Sequence, residues 1–319
     1  MKQITITKDD SGQRLDKFME KAFPLLPRSL LYRGLRLKRI KLNGRRCQAG
    51  DRLQEGDVLN LYLNDEFLVR QPGKGPSLSA GPVQVVYEDD NLLLADKPAG
   101  LLCHEDDKEK SDTLIGRVQH YLLEKGDYRP DDALSFAPAL CNRIDRNTAG
   151  IVMVAKNAQT LRILNEKIKQ HEIEKEYLLI VHGRLRQKEG TFSDWLKKDA
   201  ASNTVSACPA GTPGAKRAVT HYRVLREKPE FSLVQVRLET GRTHQIRVHF
   251  ASHGHPLLGD GKYGSHTRLG SKSFKSQCLY SYRLTFAFAT DAGALNYLKG
   301  KSFTVKNTWV EQEFDRLPE

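Results

Sequence analysis

The sequence predicts an α+β protein built on a mixed, largely antiparallel β-sheet, with a small α/β unit in front of it. Three observations carry that expectation. The chain has 319 residues, more than one ordinary compact domain holds, so two units are the natural division. Residues 68–82, LVRQPGKGPSLSAGP, concentrate Gly, Pro and Ser without any hydrophobic period and read as a linker. Beyond the linker, strands and helices mix without a repeating strand–helix alternation, and no internal repeat is visible. The expected organisation is therefore 1–67, a linker at 68–82, and a larger unit at 83–319.

In the first unit, Leu15, Phe18, Met19, Ala22 and Phe23 fall at i, i+3, i+4, i+7 and i+8, an amphipathic helix ended by Pro24. After Pro27, Ser29 is placed to cap a second short helix containing Leu30, Leu31 and Leu35. RIKLNGRR then sets Asn43-Gly44 between two extended runs, a hairpin signal. DRLQEGDVLNLYL follows, with Gly56-Asp57 as a turn and Val58, Leu59, Leu61 and Leu63 as a closing strand.

In the second unit, Val85-Val86-Tyr87 and Leu92-Leu93-Leu94 bracket Glu88-Asp89-Asp90-Asn91 as strand, turn and strand. Lys97-Pro98-Ala99-Gly100 ends that hairpin. Ile151 to Ala155 is a short buried strand by length and β-branching. Asn157 is positioned to cap a helix carrying Leu161, Leu164 and Ile168. Tyr177, Leu179 and Val181 alternate with Leu178 and Ile180 in a strand closed by Gly183, and Phe231 to Leu238 is again strand-like.

Hydrophobic residues make up 39% and charged residues 28%, the balance of a folded soluble globule. The formal charge is +12, which suggests a polyanionic partner, most often nucleic acid. The excess is concentrated. Nine basic residues (Arg28, Arg33, Arg36, Lys38, Arg39, Lys41, Arg45, Arg46 and Arg52) stand against one acid, Asp51, between positions 28 and 52. A helix and a hairpin carrying one sign of charge suit a phosphate backbone; a merely solvated face is the bland alternative.

The N-terminus MKQITITKDD lacks the apolar stretch of a signal peptide, and no run approaches the roughly 18 apolar residues of a membrane span. The five cysteines are scattered and never form a CxxC pair, which argues against disulfides and zinc ribbons. A cytoplasmic protein with reduced thiols and no membrane is the expectation.

No P-loop, GxGxxG helix start, nucleophile elbow or HExxH appears, so nucleotide-driven, hydride-transfer and zinc-protease chemistries have no support. His244, His249, His253 and His255 cluster late, with Asp260 near. If Thr243 caps a helix stopping at Gly254, His249 and His253 share one face. No carboxylate or thiolate joins them at ligand spacing, and no metal is expected. In the same segment Gly241 permits an unusual backbone angle, and a helix starting at Thr243 would aim its N–H groups outward beside Arg242 and Arg247. That is an anion site, or an ordinary capped helix with solvated arginines. Earlier in the chain, NRIDRNTAG sets Asp145 between Arg143 and Arg146, just ahead of the apolar strand.

Taken together these stretches resemble a known family. CNRIDRNTAGIVMVAKN resembles the aspartate motif of RNA pseudouridine synthases of the RluA-type branch. IEKEYLLIVHG is similar to that family's second motif and GRTHQIRVHFASHGHPLLGDGKYG to its third. YEDDNLLLADKPAGLL matches its opening strand and Lys-Pro turn. The four occur in the expected order across 83–264. The first 65 or so residues resemble an S4-type RNA-binding domain through GQRLDKFM, the basic helix and the IKLNGRR hairpin. Three positions depart from the family: Asn142 stands where histidine is usual, Ala149 where serine is, and LYSYRLTF where a histidine-alanine pair is expected.

The resemblance implies a pseudouridine synthase fold, isomerisation of uridine to pseudouridine in structured RNA, and no cofactor. Large-subunit ribosomal RNA is the expected target because of the S4-type domain, with transfer RNA as the alternative. A lapsed RNA-binding assembly factor and a nucleoside or RNA glycosylase are competing readings. RNA is the expected partner, with a monomer and no obligate protein partner. Asp145 is implied as the acting carboxylate and Arg247 as its charge partner. Tyr177 is implied to stack on the uracil and to help remove the C5 proton. Lys175, on the same side of the strand, is implied to contact RNA, Arg143 to meet a phosphate or support the loop, and Arg146 to hold the flipped nucleotide. Thr148, Arg242, Thr243, His244 and Gln245 are implied at the substrate. Arg28, Arg33, Arg36, Lys38, Arg39, Lys41, Arg45 and Arg46 are implied to bind RNA in the N-terminal domain.

Overall fold

The structure, a computed structural model, describes residues 1–69, 79–106, 112–130, 135–199, 202–264, 268–269 and 272–319. Residues 70–78 of the expected linker lie outside the described residues. The chain forms two compact units. One gathers Met1–Pro82, His104–Ala139 and Ala155–Arg162; the other gathers Val83–Cys103, Leu140–Val154 and Ile163–Glu319.

The first unit opens with β1 (Lys2–Thr5), α1 (Leu15–Ala22) and α2 (Arg28–Arg36), followed by β2 (Ile40–Leu42), β3 (Arg45–Arg46) and β4 (Val58–Leu61). The strands form an antiparallel sheet in the order β1-β4-β2-β3. The helical period of α1 does what its spacing predicts. Leu15, Phe18, Met19, Ala22 and Phe23 are buried against Leu31, Leu35, Ile40, Leu59 and Leu61. Asn43 and Gly44 take φ of 52° and 73°, the left-handed pair a two-residue hairpin turn requires. Ser29 does not cap α2. The N-cap is Pro27, whose fixed φ of −60° starts the helix two residues sooner, so Ser29 lies inside the first turn. A longer helix, α3 (Leu114–Lys125), also belongs here. The Thr113 side chain accepts from the Gly116 N–H at its start, and Gly126 at φ +84° closes it.

The second unit carries β5 (Gln84–Glu88), β6 (Leu92–Lys97) and β9 (Ile173–His182), while β7 (Ala139–Leu140), β8 (Ala149–Ala155) and α4 (Ala158–Lys169) each cross the division between the units. Then come β10 (Glu189–Asp199), β11 (Thr204–Cys208), β12 (Lys216–Glu227), β13 (Phe231–Leu238) and α5 (Gln245–Ser252). After the two-residue strands β14 (Arg268–Leu269) and β15 (Lys272–Ser273) come β16 (Leu279–Phe286), β17 (Ser302–Thr304) and α6 (Trp309–Arg316). One sheet runs β11-β10-β12-β13-β9-β16-β8-β6-β5, with β17 on β16 and β7 on β8. The β11–β10, β10–β12, β12–β13, β13–β9, β9–β16, β16–β17 and β6–β5 pairs are antiparallel, and β16–β8 is parallel. The sheet is thus mixed and largely antiparallel, as the sequence predicts. Asn157 caps α4, its Oδ1 accepting from the Thr160 N–H at 2.9 Å.

All seven residues of β8 are buried. Ile151 and Met153 join Leu92, Leu94, Leu164, Leu284, Phe286, Leu295 and Leu298 in one core. At its start, Gly150 has φ +115°, and a Cβ there would lie 2.2 Å from the Ser281 carbonyl oxygen. Only glycine lets β16 approach so closely. This contact sets the strand that carries the preceding loop.

Candidate active site

That loop, Cys141 to Thr148, forms one wall of a cavity of about 390 Å³. A second wall comes from β9 through Lys175 and Tyr177, which point to the same side two residues apart. The third comes from the segment 241–247 leading into α5. The cavity therefore gathers Arg143, Asp145, Thr148, Lys175, Tyr177, Arg242, Thr243, His244, Gln245 and Arg247 from stretches far apart in the chain. Arg146 is not among the lining residues; it is exposed at the loop surface, and its backbone carbonyl faces inward.

Asp145 is the acid of the cavity, with its side chain 29% exposed. Arg247 Nη1 lies 3.2 Å from its Oδ2. The other edge of the guanidinium grips Asp260, Nε to Oδ2 at 2.7 Å and Nη2 to Oδ1 at 2.8 Å. Asp260 also accepts from the backbone N–H groups of Lys262 (2.9 Å) and Tyr263 (3.1 Å). Burial alone would raise the Asp260 pKa, but the Arg247 guanidinium and the two N–H groups outweigh it and hold the carboxyl below the usual carboxylate range. The Tyr263 ring covers the other face of the guanidinium, 5.0 Å from ring centroid to Cζ.

The third wall departs from the predicted helix start. Thr243 is not the cap and Gly241 is not in the left-handed region. The N-cap is His244, with φ 52° and ψ 20°, and the helix runs from Gln245 to Ser252. The reason is Gln245. Its Oε1 accepts from Thr240 Oγ1 and the Arg242 N–H, while its Nε2 donates to the Val219 carbonyl and Thr220 Oγ1. The side chain ties the loop to β12 and forces the reversal onto the preceding residue. Gln245 is buried and fully engaged in this way. Arg242 donates from Nε to the Arg217 carbonyl at 3.1 Å.

The Asp145 loop is pinned from behind. Lys97 is buried and its ammonium donates to the carbonyls of Pro98 (2.9 Å), Leu101 (2.6 Å) and Arg146 (2.9 Å). Burial pushes Lys97 down to about 8. Gln277 donates to Thr148 Oγ1 at 3.1 Å, and the Thr148 N–H bonds back to the Asp145 carbonyl. Tyr177 is 6% exposed, and burial pushes its hydroxyl up to about 12. Burial lowers Lys175.

Two departures from the family pattern have structural explanations. Asn142 Oδ1 accepts from the Met153 N–H at 2.8 Å, tying the loop to β8. Tyr280 donates to the buried Asp96 carboxylate at 2.6–2.7 Å. The residues missing from the sequence-based set are Lys97, Asp260 in its role as Arg247's anchor, and Tyr263. All three lie inside stretches that match the family, but no local period reveals a bond made across the fold.

The histidine pair differs from its expectation. His249 is buried, its Nδ1 is 2.8 Å from Thr220 Oγ1, and burial drives it down to about 4. His253 is exposed and lies 3.0 Å from Asp194, a carboxylate delivered by β10 that spacing alone does not reveal. Among the described residues no group of three or more His, Cys, Asp or Glu could hold a metal ion.

In the N-terminal unit, Arg33, Arg36, Lys38, Arg39, Arg45 and Arg46 are exposed. Lys41 is half-buried with its ammonium 5.6 Å from the Tyr62 ring centroid. Arg28 is paired with Glu20 at 2.6 Å.

Comparison with known proteins bears on both units. Residues 91–252 match the RNA pseudouridylate synthase family and residues 13–59 match the S4 domain. An uncharacterised RNA pseudouridine synthase of Mycoplasma genitalium is 32% identical over 298 residues, covering 89% of this chain and 88% of the relative. Ribosomal large subunit pseudouridine synthase D of Zymomonas mobilis is 32% identical over 292 residues, 89% of each chain. Ribosomal large subunit pseudouridine synthase C of Vibrio cholerae is 33% identical over 267 residues, 82% of this chain and 80% of that one. The fold is similar to human RNA pseudouridylate synthase domain containing 4, with a TM-score of 0.58 and 19% identity over 74% of this chain and 94% of that one. No described helix is long and apolar enough to cross a membrane. The chain belongs to the RNA pseudouridine synthase family, isomerases that convert uridine to pseudouridine within RNA.

Proposed function

We propose that this enzyme modifies a defined uridine of large-subunit ribosomal RNA in the cytoplasm, with Asp145 as the acting carboxylate and no cofactor. The observation that carries the reading is the Asp145–Arg247 pair in the cavity, 3.2 Å apart, with Arg247 itself fixed by Asp260. The target is supported by the relatives named ribosomal large subunit pseudouridine synthases C and D and by the S4 domain ahead of the cavity-bearing unit. Residues 1–67 then hold the RNA and residues 83–319 carry the reaction, across the linker.

The reaction breaks the N1–C1′ bond, turns the uracil, joins C5 to C1′, and moves the C5 proton away while N1 gains one. Nothing is consumed. Cleaving a glycosidic bond calls for a carboxylate near C1′. Recapture of the base calls for exclusion of water and a surface that keeps the ring. Asp145 supplies the first, with a cation beside it that remains fixed as charge develops. The buried Tyr177 ring supplies a stacking surface. With its hydroxyl pushed up to about 12 by burial, Tyr177 stays protonated and suits stacking and hydrogen-bond donation better than service as a free phenolate. Lys175, Arg143 and Arg242 at the cavity and Arg146 beside it are cations for the flanking backbone.

Pseudouridine mapping of total RNA from cells with and without the gene tests the target. Loss of one ribosomal RNA site is expected; loss of a transfer RNA site instead would replace the target, and loss of none would defeat the reading. An Asp145→Asn enzyme should restore no modification.

A further inference from the structure

Two nitrogens meet the Tyr263 hydroxyl. The Val205 backbone N–H donates to it at 2.9 Å, and His244 Nδ1 lies 2.7 Å away. The oxygen is accepting from Val205, so its own proton is available to donate. Among the described residues the acceptor within reach is Nδ1. That hydrogen bond fixes the imidazole: Nδ1 accepts, and Nε2 carries the hydrogen. Burial lowers His244 below the ordinary histidine value, so the ring stays neutral near pH 7 and keeps this tautomer. Tyr263 is itself locked in place, its N–H on Asp260 and its ring on the Arg247 guanidinium.

Nε2 lies 3.9 Å from Asp145 Oδ2, too far for a direct hydrogen bond. The N–H is therefore held beside the carboxylate, at the cavity, without bonding to it. The residue that presents it sits at φ 52°, held in the left-handed region by the Gln245 bonds that fix the loop to β12, and its side chain makes no cap bond. A side chain at the cavity wall, locked in one tautomer by Tyr263 and left with an N–H facing the cavity, is positioned to donate to a ligand.

We propose that His244 Nε2–H hydrogen-bonds a carbonyl oxygen of the target uracil and so selects uracil in the cavity. The inference rests on the cavity being the uridine site. Uracil presents an acceptor–donor–acceptor edge, O4, N3–H and O2, which is symmetric about the N3–C6 axis. The turn that exchanges N1 and C5 also exchanges the two carbonyls, so a fixed donor that meets one carbonyl before the turn meets the other afterwards. Cytosine puts an amine at one of those positions, where two N–H groups would face each other unpaired.

Two measurements test this. In the free protein, long-range 1H–15N spectra of histidine-labelled enzyme, assigned with His244→Gly, should show Nδ1 unprotonated and Nε2 protonated near pH 7. Tyr263→Phe should shift that balance. A protonated Nδ1 in the wild-type enzyme would overturn the proposal. The second measurement uses a stem-loop transcript in which the mapped uridine is replaced by 2-thiouridine or 4-thiouridine. Sulfur is a weaker acceptor, so wild type should lose about three- to tenfold in kcat/KM for at least one of them relative to uridine. His244→Gly, which accepts the backbone angle without strain, should lose that discrimination. The same thio penalties in both enzymes would overturn the proposal. Failure of wild type to convert uridine in the transcript would sink the functional reading instead, while the spectra still decide the tautomer.

Discussion

Arg247 holds two carboxylates at once: it grips Asp260 at two points, 2.7 and 2.8 Å, and reaches Asp145 with its remaining nitrogen at 3.2 Å. The planar fork makes this division possible, and a lysine could not reproduce it. Arg247 and Asp260 are both buried, at 8% and 1% exposure, so the pair works in a poorly screened medium.

Asp260→Asn should therefore be costly. It removes one partner of a buried pair and leaves the guanidinium undercompensated, which costs about 3–5 kcal/mol. Urea unfolding at pH 7 measures it. The Asp260 carboxyl lies below its unfolded value, so its contribution is complete above about pH 4 and is lost as pH falls through the lowered folded value. The gap between wild type and Asp260→Asn should narrow below pH 4; a gap that widens on acidification would contradict the assignment.

Lys97→Met tests the support behind Asp145. Three carbonyl oxygens lose their donor, for an expected cost of about 3 kcal/mol. The reaction should slow because the Arg146 carbonyl, next to Asp145, is released. Burial holds folded Lys97 near 8, so between pH 8 and its ordinary value of 10.5 the unfolded chain binds more protons and wild type gains stability with rising pH. The variant should lack that rise. Equal slopes for the two proteins would rule out Lys97 as the source.

What could be read from the sequence follows from how local each signal is. The α1 spacing, the Asn43-Gly44 turn and the Phe231–Leu238 strand are written in neighbouring residues, and each forms as predicted. β10 is exposed and charged along much of its length and its partner β11 is a short run of small residues, so no apolar alternation announces the ladder. Asp145 and Arg247 lie 102 positions apart, and only the matched motifs tie them together. The positive φ falls on His244 and not on Gly241, because Gln245 anchors the loop through bonds to β12 that no nearby residue signals. Ser29 fails as a cap for the opposite reason: a stronger local rule, the preset proline angle, acts two positions earlier.

Charge reversal on the N-terminal unit should weaken RNA binding in a salt-dependent way. Arg36, Lys38 and Arg45 are exposed, whereas Arg28 is already paired with Glu20. Each phosphate contact removed should flatten the slope of log Kd against log salt by about 0.7–0.9. Arg36→Glu with Arg45→Glu should flatten it by nearly two such increments, and Arg28→Glu by less than one. Filter binding between about 50 and 200 mM salt would show it, and identical slopes for all three proteins would remove this face from the RNA interface.

Gly150→Ala should be the most damaging small substitution in the cavity-bearing unit. Its φ of +115° is closed to alanine, and a methyl group there would lie 2.2 Å from the Ser281 oxygen and 2.6 Å from its nitrogen. Those atoms are backbone, in the register where β8 and β16 run parallel, so they cannot swing aside. Either the ladder opens or β8 shifts, and both drag the loop that carries Asp145. Several kcal/mol of destabilisation is expected, on the order of 3 or more, with loss of soluble protein on warming. Gly100→Ala is the matched control: it too has positive φ, +93°, but a methyl group added there would meet no atom within 4 Å. Its cost should stay near about 1–2 kcal/mol, the backbone strain alone. If thermal unfolding gave the two variants equal losses, backbone angle rather than the close approach of β16 would be the reason for glycine at 150.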